Sequence, residues 1–209
     1  MGKIIIPNIA SLMDGGEPVC VTFDKRADAE PSDLLYCEMI QKARHGECYS
    51  IAAQSCPVGA YVLGVSDDAP HDYYLRSGRY INMQAAQRAS GSLPKIVKPY
   101  RSIRIKPLSG NEEKFDVLIL YVTPERAMRI VQAHSYTSGV RTVIDTLGAA
   151  SVCGDCTALA LEMGLGLSFG CKGSRKHSEY GDNEMPLGIR FDIVGKIEEE
   201  LSRIPGTRD

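Results

Sequence analysis

Residues 115–122 read Phe-Asp-Val-Leu-Ile-Leu-Tyr-Val. A strand with one face in water alternates apolar and polar side chains. This run is apolar almost without interruption, so both of its faces must be covered, as in the central strand of a sheet. Thr123-Pro124-Glu125-Arg126 follows at once, a helix start with Thr as cap and Pro in the first position, leading into residues 127–134. A sheet with helices packed on it is therefore expected, and 209 residues that are 44% hydrophobic can bury a full core around it.

The other elements read less sharply. Pro18 to Phe23 and Ser102 to Lys106 are strand candidates, Tyr49 to Gln54 is a weaker one, and Leu165 to Phe169 is a short one flanked by glycine. Pro31-Ser32-Asp33 predicts a helix start, with Ser32 or Asp33 as cap and Cys37 inside the helix. Pro57 suits the first turn of a helix through Leu63, and further helices are predicted over Arg79 to Ser90, Cys156 to Glu162 and Asp192 to Ile204. The fold class is α+β or α/β, a mixed β-sheet with packed helices. One domain over residues 1–209 is expected, with 91–100 the only stretch that could mark a subdivision.

With 24 basic and 26 acidic side chains the net charge is -2, without the basic excess of a nucleic-acid binder. The opening Met-Gly-Lys-Ile-Ile-Ile-Pro is too short an apolar run for a signal-peptide core or a membrane span. Position 6 is Ile6, where a myristoylation signal carries Ser or Thr. A cytoplasmic location, with reduced thiols, is the expectation.

That expectation bears on Cys20, Cys37, Cys48, Cys56, Cys153, Cys156 and Cys171. An odd number at irregular spacing argues against a disulfide framework and for a division into buried thiols and ligands or nucleophiles. Cys153-Gly154-Asp155-Cys156 is a C-x-x-C, whose two sulfurs can grip one metal or serve thiol–disulfide exchange. Gly170-Cys171-Lys172-Gly173-Ser174-Arg175-Lys176 joins two glycines, a cysteine and three cations. Such a loop can curl its N–H groups around an anion, so Gly170, Lys172, Gly173, Ser174 and Arg175 are candidate anion-binding residues; a solvated basic turn is the alternative. Asp182-Asn183-Glu184 could pair with Arg175 or Lys176, or hold a hard cation. Tyr73, Tyr74 and Tyr80 with Arg76 and Arg79 could stack on a planar ligand or simply pack. The four scattered histidines carry no assignment. Walker A, dinucleotide-binding, H-E-x-x-H and G-x-S-x-G motifs are absent.

Val152-Cys153-Gly154-Asp155, residues 167–175 (LSFGCKGSR) and Asp182-Asn183-Glu184-Met185 resemble an archaeal and bacterial family known as ArCR, domain of unknown function 169. Tyr36-Cys37-Glu38 with Ala43-Arg44, and residues 55–60 (SCPVGA) with Leu63-Gly64, resemble that family's other cysteine segments. The resemblance implies no activity. It singles out Cys37, Cys56, Cys153 and Cys171 and makes Cys20, Cys48 and Cys156 incidental. Four separated thiolates in one chain suit a [4Fe–4S] cluster held in a pocket, with zinc as the alternative metal. The function expected is iron–sulfur binding with redox or cluster-based chemistry, served by a redox partner or a small anionic ligand. A zinc-stabilised binding module, or a metal-free anion-binding enzyme with Cys171 as nucleophile, stand as rivals. If the four cysteines share a centre, they must lie on one side of the sheet with converging side chains.

Overall fold

In the computed structural model, which describes residues 4–25, 29, 32–52, 55–97 and 99–205, the apolar run forms the strand Val117–Val122, buried along its whole length. In chain order the elements are α1 (Pro7–Ala10), β1 (Val19–Asp24), α2 (Tyr36–Ala43), β2 (Tyr49–Ile51), α3 (Pro57–Val62), α4 (His71–Arg76), α5 (Met83–Gly91) and β3 (Ser102–Pro107). Then come β4 (Val117–Val122), α6 (Pro124–Ser135), a π-helix (Ser151–Ala158) continuing into α7 (Leu159–Met163), β5 (Leu165–Leu167), α8 (Lys172–His177), β6 (Met185–Arg190) and α9 (Phe191–Arg203). The strands make one sheet in the order β2-β3-β1-β4-β6-β5, and every pairing among the described residues is antiparallel. The chain is α+β.

Alternation along the strands builds two cores. Val19, Val21, Val117, Ile119 and Tyr121 face one, with α2, α3, α4, α5 and the π-helix over them. Cys20, Leu118, Leu120, Val122, Leu187 and Ile189 face the other, closed by α1, α6 and α9. Both faces of β4 are thus covered, which is why its sequence carries no polar period.

Several boundaries differ from the sequence reading. The cap of α2 is Leu35, because the Glu38 carboxylate accepts its N–H (2.6 Å), while Ser32 Oγ accepts instead from Leu34 (3.3 Å). Pro31 and residues 53–54 of the two predicted segments lie outside the described residues. The predicted helix over 79–90 begins only at Met83, where Asn82 caps it through the N–H of Ala85 (2.9 Å), and α4 precedes it as a separate helix.

Strand β6 has no counterpart among the predicted strands, because Pro186 and Gly188 break its β signal. The proline is tolerated for a physical reason. Its carbonyl points towards Ser168 and accepts that N–H (3.1 Å), so its missing donor faces the side where β5 has already ended. Gly188 stands opposite Gly166 of β5. A Cβ on Gly188 would fall on the carbonyl of Cys156, and one on Gly166 would fall on the carbonyl of Asp155. The bare glycine pair lets the π-helix lie directly on the sheet.

Candidate functional site

Each of the four cysteines stands at the start of a helical segment. Cys37 is in the first turn of α2, Cys56 caps α3 ahead of Pro57, Cys153 is in the first turn of the π-helix and Cys171 caps α8. The four starts face one another over the same side of the sheet, and all four cysteines line a single cavity of about 580 Å³. Its wall also includes Pro57, Val58, Tyr73, Tyr74, Arg79, Ser151, Lys172, Gly173 and Ser174.

Local hydrogen bonds hold the segments that carry Cys37, Cys153 and Cys171. Tyr36, beside Cys37, shares a buried hydrogen bond with Thr157 (2.9 Å), and Thr157 donates to the Val152 carbonyl (2.7 Å), so α2 and the π-helix hold together. Asp155 is almost fully buried and accepts from Thr146 Oγ1 and Ser168 Oγ, both at 2.6 Å. Burial pushes its carboxyl up to about 6 against the pull of those two hydroxyls. Cys171 and Ser174 bond reciprocally: Ser174 N–H donates to the Cys171 sulfur (3.4 Å), and Cys171 N–H donates to Ser174 Oγ (3.0 Å).

The electrostatics record the convergence. Burial is the main cause that pushes the Cys37 thiol up to about 12, the Ser178 hydroxyl opposes it, and Cys171 and Cys56 push it further. Cys153 lies well above the ordinary thiol range through burial first, with Cys56, Cys171 and Cys37 each adding. Thiolates gathered in a low-dielectric space repel one another, and a cationic centre among them would reverse that penalty. Among the described residues no three or more His, Cys, Asp or Glu side chains stand at the spacing of a single metal ion.

The other cysteines lie apart. Cys20 is buried in the opposite core, Cys48 is exposed, and Cys156 is buried with its backbone against Gly188. The C-x-x-C thus sends only Cys153 to the cavity.

The glycine loop divides as well. Lys172, Gly173 and Ser174 line the cavity, but residues 172–177 are a short helix rather than a curled loop, and the positive φ (93°) falls at Gly170 instead of Gly173. Gly170 and Arg175 stand behind the wall. A side chain on Gly170 would strike the Tyr180 hydroxyl and the Arg175 guanidinium. Arg175 stacks on Tyr180 and donates to the carbonyls of Phe169 (2.8 Å), Gly181 (3.0 Å) and Glu184 (2.8 Å). It closes the loop between α8 and β6 and does not reach the cavity.

The Glu184 carboxylate pairs with the buried Arg44 rather than with Arg175 or Lys176. Of the tyrosine–arginine group, Tyr73, Tyr74 and Arg79 line the cavity, while Arg76 and Tyr80 do not. Ser151 and the Gly166–Gly188 pair had no legible sequence signal, since a serine after two alanines and a glycine in a strand are common in any chain.

No helix among the described residues is long and apolar enough to cross a membrane. No solved structure matches the chain. An uncharacterised protein of Methanocaldococcus jannaschii is 30% identical over 175 residues, covering 79% of this chain and 75% of that protein. The family model described as Uncharacterised ArCR matches residues 13–200, which takes in all four cavity cysteines and the sheet beneath them. The chain belongs to the ArCR family, domain of unknown function 169.

Proposed function

We propose that Cys37, Cys56, Cys153 and Cys171 hold an iron–sulfur cluster of the [4Fe–4S] type, and that the protein carries out redox or cluster-based chemistry in the cavity around it. The observation that carries this reading is the meeting of four cysteines, from four separate helical starts, in one cavity. The preference for a cluster over one zinc ion rests on the room each needs. Four sulfurs at about 2.3 Å from a single ion are forced within about 4 Å of one another. A cubane stands between its thiolates and holds them farther apart, which suits cysteines drawn from four separate segments. The N–H of Ser174 on the Cys171 sulfur is the kind of bond that tunes the potential of such a centre. When bound, the cluster would supply an electron or a Lewis-acidic iron.

The test is anoxic reconstitution with iron and sulfide, followed by an absorption spectrum and iron, sulfide and zinc analysis. The expected result is a brown protein with broad absorbance near roughly 400 nm. Replacing any of the four cavity cysteines by serine lowers the iron content, and replacing Cys20 or Cys48 leaves it unchanged. Stoichiometric zinc without iron would instead make this a zinc-stabilised module. Absence of both metals, with selective alkylation of Cys171, would point to a cysteine nucleophile.

A further inference from the structure

Residues 139–147 read Gly-Val-Arg-Thr-Val-Ile-Asp-Thr-Leu, and five of the nine are β-branched, a composition suited to a strand. The segment runs without turn or bend, yet it belongs to no sheet. Among the described residues, no backbone N–H or C=O of 141–147 bonds to another backbone group. Val140 is 67% exposed, Val143 61%, Leu147 44% and Ile144 42%. Apolar residues scattered singly over a surface need no explanation, but four within one straight segment form a patch.

The strap is held in place. It crosses from α6, on the closed half of the sheet, to the π-helix on the cavity half, and it is tied at both sides. Thr142 shares a hydrogen bond with His134 of α6 (3.0 Å), and Thr146 donates to Asp155 of the π-helix (2.6 Å). These two threonines are also the only residues of 139–147 that are not exposed. Side chains of an extended chain alternate between faces, so Thr142 and Thr146 share the face towards the body. Arg141, Val143, Asp145 and Leu147 share the outward one.

That sequence is its own complement. In an antiparallel pair centred on Val143, residues 141 and 145 stand opposite each other, because they lie two places to either side of the centre. Their charges are opposite, both side chains are exposed, and neither forms an ion pair among the described residues. In the same register Val143 meets Val143, Thr142 meets Ile144 and Val140 meets Thr146, all β-branched pairs that suit neighbouring strands.

We propose that this strap is the docking surface for a second copy of the chain. The two straps join as an antiparallel ribbon about a twofold axis at Val143, with Arg141 of each copy against Asp145 of the other. A twofold contact requires a surface complementary to itself, and opposite charges at equal distances from an apolar centre meet that requirement. An unrelated partner would impose no such symmetry. The ribbon also pairs the free backbone groups of both straps. A standard interface covers about 800 Å² per partner, and two nine-residue straps stand at the small end of the specific range, so a reversible dimer is expected. The strap continues into Ala149 and Ala150 of the cavity wall, so the contact lies beside each site and does not depend on what the cysteines hold.

The test is sedimentation equilibrium of the full-length protein, metal-free and under reductant so that the exposed Cys48 forms no disulfide. A monomer–dimer equilibrium with a Kd of roughly 1–100 μM is expected. Arg141→Glu, Asp145→Arg and Val143→Asp should each raise that Kd about tenfold or more, with unchanged circular dichroism, while the exposed Arg88→Gln leaves it as it was. An equimolar mixture of Arg141→Glu and Asp145→Arg should recover the parental Kd, since opposite charges again meet at both contacts of a mixed dimer. Amide hydrogen exchange over 140–147 should slow as protein concentration rises. A monomer at roughly 500 μM would overturn the proposal and leave the strap to a different protein. A dimer indifferent to Val143→Asp, or a mixture no more associated than its two components, would overturn it as well.

Discussion

Cys20 and Cys48 show how little a cysteine's identity says about its chemistry. Cys20 is sealed in the core under α1, α6 and α9, where burial pushes its thiol up to about 12; Cys48 is exposed. Only the thiolate is nucleophilic, so brief alkylation of the metal-free protein at pH 8 should label Cys48 first and leave Cys20 unmodified until denaturant is added, as peptide mass spectrometry would show. Early labelling of Cys20 would contradict the burial. Arg44 is the polar counterpart. Its Nε donates to the Gly15 carbonyl (2.6 Å), its fork grips Glu184 and its guanidinium lies 5.2 Å over the Tyr121 ring, so one side chain ties the chain start, α2, β4 and the segment before β6. Burial works against the Glu184 carboxylate, but bonds from Arg44 and from the Gly181 N–H hold it below its ordinary value of 4.5. A depressed carboxyl contributes stability that is present above the unfolded value and lost as pH falls through the folded one. Arg44→Met should therefore cost about 1–2 kcal/mol near pH 7 by leaving the partly buried Glu184 carboxylate without its guanidinium. The gap from the parent protein should narrow below pH 4.5, and urea denaturation at the two pH values measures both effects.

Among the elements, the π-helix depends most on its neighbours. It lies on Gly166 and Gly188, and it carries Ser151 and Cys153 to the cavity. Gly188→Ala should destabilise the fold by about 3 kcal/mol, because the obstructing atom is backbone and cannot rotate away. Gly195→Ala on the exposed side of α9 meets nothing within 4 Å and should stabilise by about 0.5–1 kcal/mol. Denaturant midpoints of the two variants should move in opposite directions. This contrast also explains what the sequence let one read. The buried run of β4, the Thr-Pro start of α6, Pro57 at the head of α3 and the amphipathic α9 follow from local rules and were legible. Strand β6 was not, because its Pro and Gly answer to neighbours at Ser168 and Cys156 that no local window contains. The short helix α8 hid for a local reason: its cap is a cysteine bonded to Ser174, outside the usual capping set.

At the scale of the molecule, the antiparallel sheet separates a closed apolar half from a half that holds the cavity. The candidate cysteines were legible through their segments' resemblance to one family, while their common cavity depends on packing. Arg175 fell on the wrong side of its wall because a charged side chain can serve backbone carbonyls as readily as a ligand. The sheet order carries a last consequence, for synthesis. A ribosome delivers a chain from its N-terminus, so Cys37 and Cys56 emerge while most of the protein is still untranslated. Their partners follow only with Cys153 and Cys171, and the strand that seats the π-helix, β6, comes later still. No partial product can assemble the site. Any cofactor it takes must be delivered to a finished chain, and until then its thiols depend on the reducing power of their surroundings.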